Sequence, residues 1–283
     1  MTGSVRHDRI ALAVHVILRI AVCMCFVGHG AFGIRQKVDW LVFFDRLSIP
    51  DHIAFLLMPV IGTVDIALGI SALVRPTKAL LAYMVFWGTL TAMLRPLAGM
   101  PFFEAIERAG NVGPALALLL STGPGWFSAA RVLPLDGTNR PRLTRVLSWT
   151  TGLLLIGHGG LGAFHTKAGL VKHWGLSGLP VQNVPAFTRV VGVVEMWFGL
   201  AVLRWPLVPL CLAISVWKMA TEALFVVAGD PFWEWIERGG SYGAPLALAL
   251  VMLARPAPAV IPAAERLDKL AGNSVKVGTA SRV

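Results

Sequence analysis

Apolar runs of about 20 residues recur along the chain, each long enough to cross roughly 30 Å of hydrocarbon as a helix. Short segments rich in charge, proline and glycine separate these runs. Charged residues make up only 14% of the chain, against about 25% in ordinary soluble domains. The sequence therefore predicts an all-α integral membrane protein with eight transmembrane helices, at residues 9–33, 52–74, 77–100, 112–133, 143–163, 186–203, 206–228 and 242–256.

The chain also carries an internal duplication. The segment GHGAFG at residues 28–33 reappears as GHGGLG at 157–162, and PFFEAIERAGNVGPALAL from Pro101 reappears as PFWEWIERGGSYGAPLAL from Pro231, so the spacing is 129 to 130 residues. An even number of crossings in each copy gives both copies the same orientation in the membrane. We therefore predict two parallel four-helix bundle repeats, at residues 1–133 and 143–256. A linker at 134–142 joins them, and a flexible tail follows at 257–283.

The basic residues are distributed unevenly between the two predicted sides of the membrane. Fourteen lie on the side of both termini: Arg6, Arg9, Arg75, Lys78, Arg131, Arg140, Arg142, Arg145, Arg204, Arg255, Arg266, Lys269, Lys276 and Arg282. Seven lie on the opposite side: Arg35, Lys37, Arg46, Arg108, Lys167, Lys172 and Arg238. Cytoplasmic loops are enriched in Lys and Arg. The bias predicts a multi-pass protein of the cell membrane with both termini and the linker in the cytoplasm.

Ionisable residues inside the predicted spans are the candidates for function, because each costs roughly 2.5–3.5 kcal/mol at the centre of a membrane helix. Two interpretations are open: internal ion pairs that fix helix register, or a polar cavity that binds a substrate. We expect Asp65 and Glu195 to face the bundle interior, with basic partners such as Arg95 and Lys218. The candidate substrate-binding residues are His29, Asp65, Arg95, His158, Glu195, Lys218 and Glu222.

The two histidines of the repeated GHG segment, His29 and His158, occupy equivalent places near the predicted outer ends of their helices. They could hydrogen-bond a neighbouring helix, bind a quinone or another substrate, or ligate a metal or haem. No C-x-x-C-H haem motif and no second set of ligands accompanies them. Neither a haem nor a metal site is predicted. The three cysteines, Cys23, Cys25 and Cys211, lie inside apolar runs and are expected to be small packing residues.

The repeated segments PFFEAIER and PFWEWIER place an acid and a base four residues apart, so that each pair shares one face of a helix. These pairs are Glu104 with Arg108 and Glu234 with Arg238, and aromatic residues flank both. Aromatic rings are enriched at the depth of lipid headgroups. The two segments are therefore predicted to be short interfacial helices, which either anchor the protein in the interface or cover an outward-facing cavity.

These motifs resemble the DoxX-like family of membrane proteins. The resemblance rests on the GHG of the first helix, on Gly192-x-x-Glu195-x-x-x-Gly199 in the second helix of the unit, and on the E-R-x-G of the fourth. The first half departs from it by carrying Asp65 in place of the glutamate. The resemblance covers about residues 15–125 and 145–255. It implies a duplicated four-helix unit and a link to membrane redox systems, such as thiosulfate:quinone oxidoreductase or proteins that handle thiol and oxidative stress.

Three functions remain open from the sequence. The resemblance implies a subunit or partner of a quinone- or thiol-linked membrane redox system, which would need a redox partner protein or the quinone itself to carry electrons. Parallel repeats and buried charges also fit a small-solute transporter. A noncatalytic membrane scaffold is the third alternative. No phosphate loop, nucleophile elbow or dinucleotide fingerprint is present. The net charge of +10 lies in loops, and no nucleic-acid partner is predicted.

Overall fold

The computed structural model describes residues 2–254, with side chains from residue 9 onward, and this part of the chain is helical. A single turn of 3-10 helix, Val38–Trp40, precedes α2. The first half contains α1 (Thr2–Ile34), α2 (Leu41–Arg46), α3 (Asp51–Val74), α4 (Lys78–Leu97), α5 (Phe102–Glu107) and α6 (Ala109–Leu120). The second half contains α7 (Asn139–Ala163), α8 (Ala168–Gly175), α9 (Val184–Arg204), α10 (Val208–Val227), α11 (Phe232–Glu237) and α12 (Gly239–Leu253).

Local sequence determines where several helices begin and end. The Thr77 hydroxyl caps α4 by accepting a hydrogen bond from the backbone N–H of Leu80. The Asn183 side chain caps α9 in the same way through the N–H of Ala186. Gly99 and Gly229 have φ angles of +82° and +81°, a left-handed conformation that glycine adopts without a steric penalty. They follow the ends of α4 and α10 and turn the chain into α5 and α11.

Four helices form the centre of the molecule: α6 and α12 contact each other, and each contacts both α1 and α7. Four further helices pack around this centre: α3 on α1, α4 on α6, α9 on α7 and α10 on α12. Two short helices, α5 and α11, contact the opposite half: α5 packs on α7, and α11 packs on α1. The two halves are therefore interlocked.

Glycines bring the first two long helices of each half into backbone contact. A Cβ atom added at Gly30 would overlap the carbonyl oxygen of Gly62, and one added at Gly159 would overlap that of Gly192. Small residues that allow such close approach are typical of helix interfaces in membranes. The GHG segment and the glycines around Asp65 and Glu195 therefore serve to join α1 to α3 and α7 to α9.

Five helices of the described residues are long and apolar enough to cross a membrane: Arg9–Ile34 of α1, and all of α3, α4, α9 and α10. Their outer faces expose large apolar side chains; Leu56 and Trp197 are each 68% exposed. Such surfaces suit lipid and not water. The described part of the chain thus has the helices and the surface of an all-α membrane protein. In contrast, α7 is 25 residues long but buries polar residues such as Thr150 and Thr151. A helix enclosed by protein does not need an apolar surface.

Two predicted boundaries need correction. The fourth predicted span, at residues 112–133, is helical only as far as Leu120. Gly123, Pro124 and Gly125 follow, and Gly125 has a φ of +107°, so the chain leaves the helix and makes an isolated antiparallel bridge between Thr122 and Val132. The linker predicted at 134–142 extends too far toward the C-terminus, because α7 already begins at Asn139.

Some predictions concern residues outside the described part of the chain. These are the flexible cytoplasmic tail at 257–283 and the last two residues of the predicted span at 242–256. Five of the basic residues used for the orientation also lie there, namely Arg255, Arg266, Lys269, Lys276 and Arg282.

Candidate functional site

A histidine and a carboxylate form a hydrogen-bonded pair between α1 and α3. Nδ1 of His29 lies 2.7 Å from Oδ2 of Asp65. Asp65 is 1% exposed, so this bond satisfies a carboxylate that faces the interior. The His29 imidazole also stacks on the indole of Trp40, with ring centroids 4.6 Å apart. The carboxylate thus fixes the orientation of the imidazole, and Trp40 covers one of its faces.

The second half contains the equivalent pair with more partners. Nδ1 of His158 lies 2.5 Å from Oε2 of Glu195, and the indole N–H of Trp217 donates to Oε1 over 2.9 Å. The ammonium of Lys218 lies 3.7 Å from the same Oε1. Glu195 and Lys218 are almost fully buried. The predicted inward orientation of Glu195, with Lys218 beside it, agrees with this geometry.

Lys218 continues this cluster toward the second short helix. Its ammonium lies 2.8 Å from Oε1 of Glu222, as the spacing of four residues predicts, and Nε of Arg238 lies 2.9 Å from Oε2. Arg238 also donates to Glu234 over 2.6 Å. Acids and bases alternate along the chain of contacts, so each buried charge has an opposite neighbour. Each of these buried charges in the second half thus has an opposite charge within 4 Å.

Arg95 is not the partner of Asp65 that the sequence analysis expected. Its guanidinium lies 3.7 Å from Oε2 of Glu104, at the start of α5. Lys167 lies 2.6 Å from the other oxygen of Glu104. The reason is positional: Asp65 lies mid-way along α3, whereas Arg95 lies in the last turn of α4, next to α5. The candidate residues of the first half therefore form two groups and not one.

The charged residues of the two short helices face inward. Glu104 and Arg238 are 7% and 9% exposed, whereas Phe102 and Phe232 are 60% and 55% exposed. The predicted pair between Glu234 and Arg238 is present. Arg108 does not pair with Glu104 as the spacing predicted, and instead donates to Glu237 of the second half over 2.8 Å. These helices thus join the two halves through charges and expose part of their aromatic surface.

Glu237 is the acid at the end of α11 that receives this bond. Burial raises the pKa of Glu237, but the guanidinium groups of Arg108 and Arg238 lower it by more, to about 2. Burial likewise raises the pKa of Glu107, the matching acid of α5, and nearby cations including Lys167 and Arg108 bring it below its usual range. Both acids are therefore charged at neutral pH. The sequence analysis overlooked them because neither is four residues from a base.

A cavity of about 200 Å³ lies in the first half, next to His29. Its wall is mostly apolar and comes from the 3-10 turn, α2, α3 and α4, with Trp40, Phe43, Leu57 and Trp87 among its residues. His29 and Arg95 are the charged or titratable side chains in that wall. A smaller cavity of about 30 Å³ lies next to it, and His29, Trp87 and Arg95 line both cavities. The cavity brings together His29 and Arg95 from the predicted set, whereas Lys218 and Glu222 lie elsewhere.

Three aromatic residues of the cavity wall were not predicted as site residues: Trp40, Phe43 and Trp87. Aromatic residues near the ends of spans are usual in membrane proteins and do not by themselves indicate a site. No group of three His, Cys, Asp or Glu side chains that could hold a metal ion occurs within residues 9–254. Cys25 and Cys211 are buried, and Cys23 is partly buried. The chain matches no family model, no curated protein and no solved structure.

Proposed function

We propose that this protein is a DoxX-like membrane protein that binds a quinone in the cavity of its first half and serves as a subunit or partner of a membrane redox system. The observation that carries the proposal is the apolar cavity of about 200 Å³ with the His29–Asp65 pair at its wall. An apolar cavity of about 150 Å³ accepts a benzene ring. A substituted ring therefore fits this cavity, and an apolar tail can extend from it into lipid.

The chemistry at the wall suits a quinone in particular. Reduction of a quinone to a quinol takes up electrons and protons in equal number, and the protons go to the ring oxygens. An imidazole that a buried carboxylate holds in one orientation is placed to donate a hydrogen bond or a proton to such an oxygen. Side chains do not supply the electrons. A redox partner protein is therefore part of this proposal, and it would donate electrons to the bound quinone.

The proposal includes the membrane topology. Eight crossings follow if α7 also traverses the bilayer, and if α6 and α12, of 12 and 15 residues, cross together with the short helices α5 and α11 that precede them. The halves then repeat the same helix order in parallel, related by a rotation about the membrane normal. The excess of basic residues on the side of both termini supports a cytoplasmic location for the termini and for the segment between α6 and α7.

Mass spectrometry of the protein extracted in mild detergent tests the proposal. We expect a quinone to be retained by the wild-type protein and to be lost from Leu57→Trp, in which a larger side chain occupies the cavity. Leu212→Trp, on the exposed face of α10, is the matched control and should retain it. A wild-type protein that contains no quinone and takes up none when it is added would contradict the proposal. Solute uptake by proteoliposomes would favour a transporter instead.

A further inference from the structure

Two polar atoms in the cavity wall lack a partner within the described residues. They are the indole Nε1 of Trp87 and the guanidinium Nε of Arg95, and both are buried. Trp87, Thr91 and Arg95 follow one another at intervals of four residues on α4 and line both first-half cavities. A buried donor without an acceptor is costly. These donors therefore call for an acceptor that the described residues do not supply.

The matching tryptophan in the second half has an acceptor. Trp217 lies 130 residues after Trp87 and donates its indole N–H to Oε1 of Glu195. The first half carries Asp65 in place of Glu195, and aspartate is one methylene shorter. The oxygen of Asp65 reaches His29, but no bond from Trp87 to Asp65 forms. The exchange of glutamate for aspartate thus leaves the indole N–H of Trp87 free.

The space beside these tryptophans also differs between the halves. Gly88 and Ala92 line the smaller cavity next to Trp87. The residues 130 positions later are Lys218 and Glu222, which are fully buried and lie 2.8 Å apart. Lys218 and Glu222 thus place long charged side chains at positions where the first half has only a hydrogen atom and a methyl group. The first half therefore has a small cavity at positions where the second half has a buried ion pair.

We infer that the first half binds an apolar molecule through an acceptor oxygen placed at the indole N–H of Trp87 and the guanidinium of Arg95, and that Lys218 and Glu222 close the corresponding space in the second half. The apolar body of the ligand lies against Trp40, Phe43 and the other apolar residues of the larger cavity. A quinone carbonyl and a fatty-acid carboxylate share this acceptor chemistry. The quinone case rests on the proposed function, and the carboxylate case does not.

Binding of three probes to the full-length protein in lipid nanodiscs tests this inference. The probes are a decyl-substituted benzoquinone, dodecanoate, and decylbenzene, which has the apolar body without an oxygen. We expect at least one oxygen-bearing probe to bind more tightly than decylbenzene. Trp87→Phe removes the N–H and keeps the ring, and should weaken that binding about 3- to 10-fold, the usual effect of one hydrogen bond. Trp217→Phe, the matched variant of the second half, should leave the affinity unchanged.

The outcomes separate this inference from the proposed function. Benzoquinone binding that Trp87→Phe does not weaken would overturn the inference and leave the quinone proposal standing. Binding of dodecanoate alone, weakened by Trp87→Phe, would support the inference and contradict the quinone proposal. Failure of all three probes, or equal affinity for decylbenzene, would overturn the inference, as would an equal loss in Trp217→Phe.

A second variant introduces the ion pair of the second half at the equivalent positions of the first half. Gly88→Lys combined with Ala92→Glu should abolish probe binding, because the new side chains exceed the cavity of about 30 Å³ and would displace Trp87 and Arg95, which also line the larger cavity. A folded double variant that still binds with wild-type affinity would show that the second half is not closed in this way. If the double variant does not fold, Trp87→Phe decides the question by itself, since it adds no atoms to the cavity.

Discussion

The ammonium of Lys37 donates to Oε1 of Glu234 over 3.1 Å, and this bond joins the first half of the chain to the second. The residues 130 positions away repeat it in the opposite sense, since Lys167 of the second half lies 2.6 Å from Glu104 of the first. Each short helix is thus held by a lysine of the other half. The short helices α5 and α11 therefore connect the halves, in addition to covering α7 and α1.

Loss of one of these lysines should destabilise the protein. We expect Lys167→Met to lower the free energy of unfolding by about 1–3 kcal/mol, because Glu104 is left buried with only the more distant Arg95 as a cation. The measurement is thermal unfolding in detergent. Lys172→Met is the control, since its partner Asp230 is more exposed and such pairs contribute about 0–1 kcal/mol. Equal effects of the two variants would contradict the interlocked arrangement.

Glu195 should be needed for stability. We expect Glu195→Gln to cost about 1–3 kcal/mol, because, among the described residues, it removes the only carboxylate paired with the buried His158 and leaves Lys218 with Glu222 alone. Adding Lys218→Met should restore part of the loss, as measured by thermal unfolding of the single and double variants. Rescue should be incomplete because Glu222 then loses one of its two cations. A Glu195→Gln protein as stable as wild type would show that this cluster is not structural.

The sequence predicts those parts of the fold that depend on helix period and apolar length. The prediction of an all-α fold is confirmed for the described residues, and the five candidate membrane-spanning helices, α1, α3, α4, α9 and α10, lie where the apolar runs predict them. The end of α6 was predicted too late. Residues 112–133 are together long and apolar enough to pass as a span, but Gly123-Pro124-Gly125 ends the helix and outweighs composition.

The candidate site was predictable only where partners are near in sequence. Lys218 and Glu222 are four residues apart, so helical geometry alone brings them together. The pair of His29 and Asp65 depends on how α1 packs on α3, and Arg108 with Glu237 depends on how the halves interlock. Such contacts span 36 and 129 residues. No periodicity in the sequence determines them.

The topology predicts where a reagent can reach the segment between α6 and α7. In a background without cysteines, Thr138→Cys should be labelled by an impermeant maleimide only after the cells are opened, because the segment is proposed to be cytoplasmic. Asp39→Cys, at an exposed position near the proposed outer surface, is the opposite control. Labelling of Thr138→Cys from outside intact cells would reverse the orientation.

Stability should decrease in acid because of Glu237. Its pKa is about 2, below the usual value, since the neighbouring guanidinium groups outweigh the effect of burial. A lowered pKa gives a contribution to stability that is complete above the ordinary pKa of about 4.3 and is lost as pH falls toward about 2. We expect the melting temperature to fall across this window. Glu237→Gln should be less stable at neutral pH and should flatten the decrease.

Asp39→Asn is the control for this pH dependence, because Asp39 is exposed and lies outside the cluster. It should keep the wild-type profile. A Glu237→Gln protein whose melting temperature falls between pH 5 and pH 2 as steeply as that of the wild type would show that Glu237 does not carry the effect.

Photolabelling with an azido-benzoquinone, followed by peptide mapping, tests most directly the claim that the open cavity of the first half is the ligand site. The account predicts labelled residues from the wall of that cavity, in the segments 40–61 and 87–95, with competition by an unlabelled alkyl benzoquinone. It predicts no competed label in the segments 170–191 and 217–225, which are their counterparts in the second half. Competed labelling of both halves alike, or of the second half alone, would contradict it.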